Sequence, residues 1–334
     1  MHVRKEGPRK YYYSSGKLLL ISLTAVIRMA LALRYSEAEV VQLCKPQPIN
    51  SLAVLLGKRG RRVYCDCDDH EATSNRFSAK WQRSIVRYFE DSIVDYSSGI
   101  TVNTFFNRDR YRLLGYPMER MVYVPNGVER SRFCNPRKIA AVREQLNVRP
   151  EEQLIVYIGS LGLLNHPVDL LLDAFKLVAK EIADVRLMLI GGGEDYDRII
   201  QLAHSLGIAE RTIFLGRVTP EEVPSLLELA TVSVDPVKDD LVARARSPLK
   251  IMESLTMGIP VVTGDVGDRR DILMDGVLGV LVKPGSSQAL ADGLLKLLQD
   301  QHTLIQMRKN ALHHRERWYW DNLIREFIKI YQNV

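Results

Sequence analysis

At 334 residues the chain exceeds what one hydrophobic core usually supports, so two domains of ordinary size are expected. Hydrophobic residues at 46%, charged residues at 26% and only 14 prolines exclude a disordered or low-complexity chain. The net charge of +6 is uneven: residues 1–130 carry 21 Lys and Arg against 13 Asp and Glu, a net of +8, while the remainder nets −2.

A basic first half accepts an anionic membrane surface or a phosphate-bearing substrate, and equally a plain solvated face with no partner. No aromatic-basic stripe, zinc-finger spacing or helix-turn-helix pattern accompanies the charge, so no nucleic acid partner is expected. The opening "MHVRKEGPRKYYYSSGK" shows no buried strand. Next comes "LLLISLTAVIRMALAL", residues 18–33, read as a core helix because Arg28 interrupts it and 16 residues are short for a span. Its Ala-Leu-Ala ending imitates a secretory cleavage site, and a signal peptide or membrane anchor is the competing reading.

From residue 39 short apolar runs alternate with helical patterns, as parallel βαβ units do. "EVVQLCKP", "RRVYCDCDD", "ITVNT" and "MVYVPNG" read as strands, with a helix at "INSLAVLLGKRG" and one long amphipathic helix at "AKWQRSIVRYFEDSIVDYSSG". Cys44, Cys65, Cys67 and Cys134 do not pair by spacing and read as free thiols of a reducing compartment. Cys65 and Cys67 share one face of a strand. With no second cysteine or histidine cluster to complete four ligands, no metal is expected there.

"NPRKIAAVREQLNVRPEEQ" is a polar helix and linker, which places a domain boundary near residue 136. Six strand candidates follow: "LIVYIGSL", "VRLMLIGGG", "TIFLGRV", "TVSVDPV", "IPVVTGD" and "GVLVKPG". Helices are expected at 168–182, 195–206, 220–229, 248–257 and 287–299. This is a second doubly wound sheet, and the final "ERWYWDNLIREFIKIYQNV" reads as a packing helix. Glycines after buried strands, as in "YIGSL" and "LIGGGE", let backbone amides approach a phosphate, and equally serve chain geometry alone.

"RARSPLKIMESLTMGIPVV" carries the sharpest signal. Ser247 suits an N-cap, Pro248 the first helical position and Gly258 the helix end. Lys250 in the first turn opposes the helix dipole, which fits a bound anion or a lysine whose ammonium reaches water. Glu253, one turn on and flanked by Ile251, Met252, Leu255 and Met257, could accept from two adjacent hydroxyls of a ribose.

These residues resemble the donor-site motif of retaining GT-B glycosyltransferases of family 4, which in many members reads Pro-x-Lys-x-x-Glu, a short helix, then Gly-x-Pro-Val-Val. "VPNGV", "YIGSL", "LIGGGE", "IFLGRV" and "GVLGVLVKPGSSQALADGLLKLL" agree in order and spacing, over about residues 60–334. The resemblance implies an α/β GT-B fold: two doubly wound Rossmann-like domains facing a cleft, the first lacking its usual first strand. It implies an acceptor-side domain at 1–135, a nucleotide-sugar domain at 136–317 and a C-terminal helix at 318–334 returning to the first. The implied reaction moves a sugar with retention from a UDP- or GDP-linked donor to a sugar or lipid-linked acceptor, with no cofactor and no obligatory metal. A role in cell-surface polysaccharide or glycolipid synthesis follows, in the cytoplasm or at the inner membrane face.

By position, the resemblance assigns donor binding to Gly159, Ser160, Gly192, Gly193, Phe214, Leu215, Gly216, Arg246, Ser247, Pro248, Lys250 and Glu253. Glu253 would hold the ribose, Lys250 and the Ser247–Pro248 turn would lie by the diphosphate or sugar, and residues 214–216 would line the base. Asp66, Asp69 and His70, in a strand-end loop similar to that of some members, are candidates for acceptor binding or polarisation, beside Glu253 as catalytic residues. The competing reading of that loop is an Asx-type turn and helix cap. The chain departs from the family at Ala245, where many members have a glutamate, and at Ser160 and His166, where Arg and Lys often stand. Arg244, Arg246 and Lys250 are expected to replace that charge. A non-catalytic sugar-nucleotide-binding or assembly subunit, and a sugar-nucleotide epimerase, are the competing functions.

Overall fold

The structure is a computed structural model that describes residues 3–6, 9–12, 14–75, 77, 79–133 and 139–332. Two compact units emerge from its internal packing: residues 1–103, 107–123 and 327–334 form the first, and residues 104–106 and 124–326 the second. The expected boundary at residue 136, and Cys134, lie outside the described residues.

The first unit begins with two short strands, β1 (Val3–Glu6) and β2 (Arg9–Tyr12), which pair antiparallel in a sheet of their own. Helix α1 (Ser15–Tyr35) leads into β3 (Val40–Cys44), α2 (Pro48–Gly57) and β4 (Arg62–Cys67). Then come α3 (Glu71–Ser74), α4 (Lys80–Asp91), α5 (Ile93–Tyr96), β5 (Gly99–Val102), α6 (Phe105–Leu113) and β6 (Met121–Tyr123). The long amphipathic helix expected from residue 79 is therefore broken at Ser92, whose hydroxyl donates to the Phe89 carbonyl. Strands β3-β4-β5-β6 form a parallel sheet in that order. Connections between successive neighbours, right-handed as such units are, place α2 and α5 on one face, where Val54 and Ile93 meet Val63, Cys65, Cys67 and Ile100.

Cys65 and Cys67 are fully buried on that face, as their spacing predicts, while Cys44 is exposed; all three are free. The opposite face is covered by the last turns of the C-terminal helix. Tyr331 packs edge-on to Tyr64 at 4.7 Å, and any side chain at Gly99 would strike Ile330. The reading of residues 18–33 as a core helix is corrected: among its described side chains α1 buries only Val26 and Ala30. Its hydrophobicity has no single face, so periodicity could not show which side the sheet would cover.

The second unit holds α7 (Arg130–Phe133), α8 (Ile139–Gln145), β7 (Gln153–Ile158), α9 (Val168–Glu181), β8 (Val185–Ile190), α10 (Tyr196–Ser205) and β9 (Thr212–Gly216). It continues with α11 (Val223–Glu228), β10 (Val232–Asp235), α12 (Leu241–Arg244), α13 (Leu249–Thr256), β11 (Val261–Gly264), α14 (Arg269–Ile272) and β12 (Gly279–Val282). Helices α15 (Ser287–Gln299), α16 (Gln301–His314) and α17 (Trp320–Gln332) close the chain. All six expected strands are present, in a parallel sheet of order β12-β11-β10-β7-β8-β9. Ile155, Leu187, Leu189, Val232 and Val234 lie in one hydrophobic layer with α9 and α15; Leu154, Val156, Met188 and Val261 lie in another with α13. Burial on both faces explains why these strands read as continuous apolar runs.

Candidate functional site

Because the order of the second sheet reverses between β7 and β10, a crevice opens at the carboxyl ends of those strands, where open α/β sheets take ligands. Four adjacent strand ends present there, in order, Asp235, Gly159–Ser160, Gly191–Gly193 and Gly216. Two glycines are demanded by the backbone itself. A side chain at Gly191, whose φ is +139°, would place its Cβ 1.9 Å from the Gly159 carbonyl oxygen, and one at Gly193 would come within 2.4 Å of Leu161. At Gly192 the space belongs to the Arg217 side chain. The glycine clusters are thus explained by close strand approach, and that approach is tied by main-chain bonds, Gly159 N–H donating to the Ile190 carbonyl at 3.0 Å and Leu161 N–H to the Gly192 carbonyl at 3.2 Å.

Helix α13 points its first turn at this edge. It starts one residue later than expected, at Leu249, with Pro248 in the N-cap position and non-helical at ψ 88°. Ser247 is therefore not the cap. Its hydroxyl instead accepts from the Asn126 backbone N–H at 3.0 Å, and Asn126 Nδ2 donates to the Ser247 carbonyl at 2.8 Å. The "VPNGV" loop is thereby tied to the turn ahead of Lys250. At the far end Gly258, with φ +72°, ends the helix as its sequence predicts.

Lys250 neither swings into water nor stands free. Its Nζ lies 3.1 Å from Asp235 Oδ1 and 4.6 Å from the centre of the Tyr157 ring, beside Gly159, where a Cβ would sit 3.2 Å away. Burial opposes the charge, yet Tyr157 and Asp235 outweigh it and hold the lysine above its usual pKa. Asp235 is buried and shared: Arg269 Nε donates to Oδ2 at 2.8 Å, and Thr263 Oγ1 donates to the same oxygen at 3.1 Å. Burial alone would raise this carboxyl, but Lys250 and Arg269 hold it well below the usual carboxylate range.

Two cations on one buried carboxylate leave a positive surplus at the edge. Arg246, whose Nη1 donates to the Asn165 carbonyl, adds to it. His166 stands near both and is pushed down to about 3, by burial and then by Lys250 and Arg246, so it is neutral. Arg244, expected to help replace missing family charge, is instead exposed and bonded to Asp239 at 2.7 Å. Ala245 is buried.

Glu253 is 8% exposed and lies 3.9 Å from Arg132 Nη2. Burial pushes it up to about 7, against the pull of Arg132 and Lys250, so it can change charge near neutrality. Phe214 meets Tyr196 edge-on at 6.5 Å at the outer end of the sheet, and Leu215 is partly buried beside it. Asp235, Arg269, Tyr157, Arg132 and Asn126 escaped the sequence reading. The available signal was the carboxylate that ends the apolar strand in "TVSVDPV", a costly residue to bury without a partner.

The other candidates belong to the first unit. Lys45 Nζ, unremarked in the sequence, lies 3.1, 2.8 and 2.9 Å from Asp68, Asp69 and Glu71. Those three carboxylates come within 4.8 Å of one another, and the lysine supplies the positive charge that their cluster needs. Asp66 accepts from Thr101 Oγ1 at 2.7 Å. His70 is buried in the N-cap position of α3 without a side-chain cap bond; its Nδ1 lies 2.6 Å from Thr73 Oγ1 and its Nε2 3.9 Å from Glu90. Burial, then Arg110 and Arg87, push it down to about 4. The cap is Glu90, fully buried in α4, which accepts from the Glu71 and Ala72 amides at 2.8 and 3.3 Å and is pushed up to about 7 by burial.

Comparison with known proteins gives these sites a context. D-inositol 3-phosphate glycosyltransferase of Nocardia farcinica is 28% identical over 67% of the chain, a match spanning only 50% of that protein's length. A GDP-mannose-dependent α-(1-6)-phosphatidylinositol monomannoside mannosyltransferase of Mycobacterium tuberculosis is 25% identical over 92% of the chain and 79% of its own. Among solved structures, Anabaena HepE in complex with UDP and glucose superposes with a TM-score of 0.77 at 18% identity, over 98% of the chain and 84% of its own. Sucrose-phosphate synthase of Thermosynechococcus elongatus gives 0.77 at 18%, over 99% and 85%. These likenesses establish the GT-B fold, with two Rossmann-like parallel-sheet domains. The model of the family described as glycosyl transferases group 1 matches residues 138–314, more than half of the chain, and the chain therefore belongs to that family.

Proposed function

We propose that the protein is a glycosyltransferase that moves a hexosyl group from a nucleoside diphosphate sugar to an acceptor hydroxyl with retention. The observation that carries this reading is the surplus of cations at the switch point: Lys250 and Arg269 converge on the one buried carboxylate of Asp235 at the strand ends. A diphosphate placed there meets Lys250, Arg246 and the Gly159–Ser160 turn. Such a preorganised positive edge stabilises the charge that develops as the anomeric carbon–oxygen bond breaks. The acceptor oxygen forms the new bond to the anomeric carbon, and its proton passes to the oxygen of the departing diphosphate. Glu253 accepts from the ribose hydroxyls, and residues 214–216 flank the base.

On the acceptor side, Asp66 and Asp69 receive hydroxyls, while His70, held near Thr73 and Glu90, keeps the loop in shape. One named relative is GDP-mannose-dependent, and one named structure holds UDP, so either base is open to this chain. The proposed work is cytoplasmic, on cell-surface polysaccharide or glycolipid; of the named relatives, one is a phosphatidylinositol monomannoside mannosyltransferase. Calorimetry with UDP, GDP, UDP-glucose and GDP-mannose tests the donor site. Binding that Lys250→Met and Glu253→Gln each weaken is expected, and a folded protein that binds none of the four overturns the proposal.

The absence of a carboxylate at Ala245 favours a second reading, a donor-binding subunit without turnover. Donor binding with no nucleotide release across a panel of sugar and lipid-linked acceptors would select it. Conversion of the donor sugar with no acceptor present would point to an epimerase instead.

A further inference from the structure

We infer that the helical layer α1–α2–α4 of the first unit is a docking surface for an anionic lipid bilayer. Three observations combine. Helix α1 exposes Leu19 (61%), Leu23 (52%) and Ile27 (56%) at spacings of four, along one stripe of a helix whose mean hydropathy reaches 1.8. Helix α2, packed between α1 and α4, adds the exposed Leu52, Leu55 and Leu56. Helix α4 exposes Trp81, Ile85 and Tyr88 on a second stripe, and its Lys80, Arg83 and Arg87 are exposed beside them.

Soluble proteins rarely leave a contiguous apolar area of this kind to water. A bare apolar face alone would suit many occupants, but the composition of α4 narrows them. Trp and Tyr prefer the headgroup level of a bilayer, and arginine and lysine next to an apolar stripe complement anionic headgroups. The net of +8 over residues 1–130 has the same sign. Helix α1 is apolar enough to cross a membrane, but its mode here is to lie flat. At its crossing with α2 a Cβ on Gly57 would sit 2.6 Å from the Ala30 carbonyl oxygen, so the two helices touch backbone to backbone and α1 rests along the unit. The surface carries this inference whether or not the chain transfers sugar; a lipid-linked acceptor would make use of it.

The test is flotation of the full chain with vesicles of phosphatidylcholine, alone or mixed equally with phosphatidylglycerol, at low and high salt. The protein is expected to float with the mixed vesicles, less so at high salt, and not with the neutral ones. The exposed triple variant Trp81→Ser, Ile85→Ser, Tyr88→Ser should lose at least about tenfold in partitioning. Circular dichroism and nucleotide binding report whether that variant keeps its fold. Parent minus Trp81→Phe fluorescence should show a blue shift of Trp81 on adding mixed vesicles. No flotation, flotation unaffected by the triple variant, or a salt-stable dimer that the triple variant dissolves without any flotation would each overturn the inference, the last assigning the face to a second copy of the chain.

Discussion

Each unit holds a lysine at the carboxyl edge of a parallel sheet, and the two lysines are held in opposite ways. In the second unit, Lys250 and Arg269 share one buried carboxylate, so the edge keeps spare positive charge. In the first, Lys45 is one cation among Asp66, Asp68, Asp69 and Glu71, and the edge keeps spare negative charge; burial raises Asp66 and Asp68 above their ordinary values even with Lys45 beside them. Similar βαβ scaffolding can therefore present a cradle for an anion or a ring of acceptors for hydroxyls, depending on how many carboxylates ring the cation.

Four changes break or sharpen that contrast. The largest effect is expected from Asp235→Ala, which leaves two buried cations facing each other: a loss of about 3–5 kcal/mol, read as a melting temperature lower by roughly 10 °C. Next, Lys250→Met should leave stability close to the parent, because Asp235 keeps Arg269. It should weaken nucleoside diphosphate binding by about 10–100-fold in calorimetry, the value of a charged hydrogen bond. A fall in stability with unchanged binding would make Lys250 structural and remove the anion cradle.

Third is a pH effect. Glu253 must be ionised to accept from a ribose diol, and its folded value is about 7, above the ordinary 4.5. Binding of UDP or GDP should therefore weaken several-fold as pH falls from about 8 to about 6, and Glu253→Gln should flatten the profile. The stability term runs the other way. The folded carboxyl keeps a proton that the unfolded chain has released between pH 4.5 and about 7, so ligand-free stability declines as pH rises through that window. The smallest effect belongs to Lys45→Met. Its side chain is about one-third exposed, so the loss is about 1 kcal/mol by denaturant unfolding, with nucleotide binding untouched.

Much of this architecture was legible in the chain. The six strands of the second sheet and the helix bearing Lys250 and Glu253 follow from period and punctuation, because both faces of that sheet are buried and its runs are unambiguous. What stayed hidden was partnership. Asp235 and Lys250 are fifteen residues apart, and Lys45 and Asp69 twenty-four; nothing local to either residue names the other. Ser247 suited a cap by type, but the Asn126 amide, 121 positions away, claimed its hydroxyl. Helix α1 was misplaced for a related reason: composition shows that it is apolar, not what lies against it.

The contact between Gly159 and Gly191 has a consequence for change over time. Where two strand ends are held apart by side chains, every substitution in the core shifts them a little. Here the distance is fixed by main-chain atoms in contact, with Gly191 N–H also bonded to the Gly216 carbonyl at 2.8 Å. The floor of the crevice therefore behaves like a machined gauge. Residues around it, such as Ser160, His166 and Ala245, can drift away from family custom and retune which ligand is welcomed without loosening the platform on which any ligand would rest.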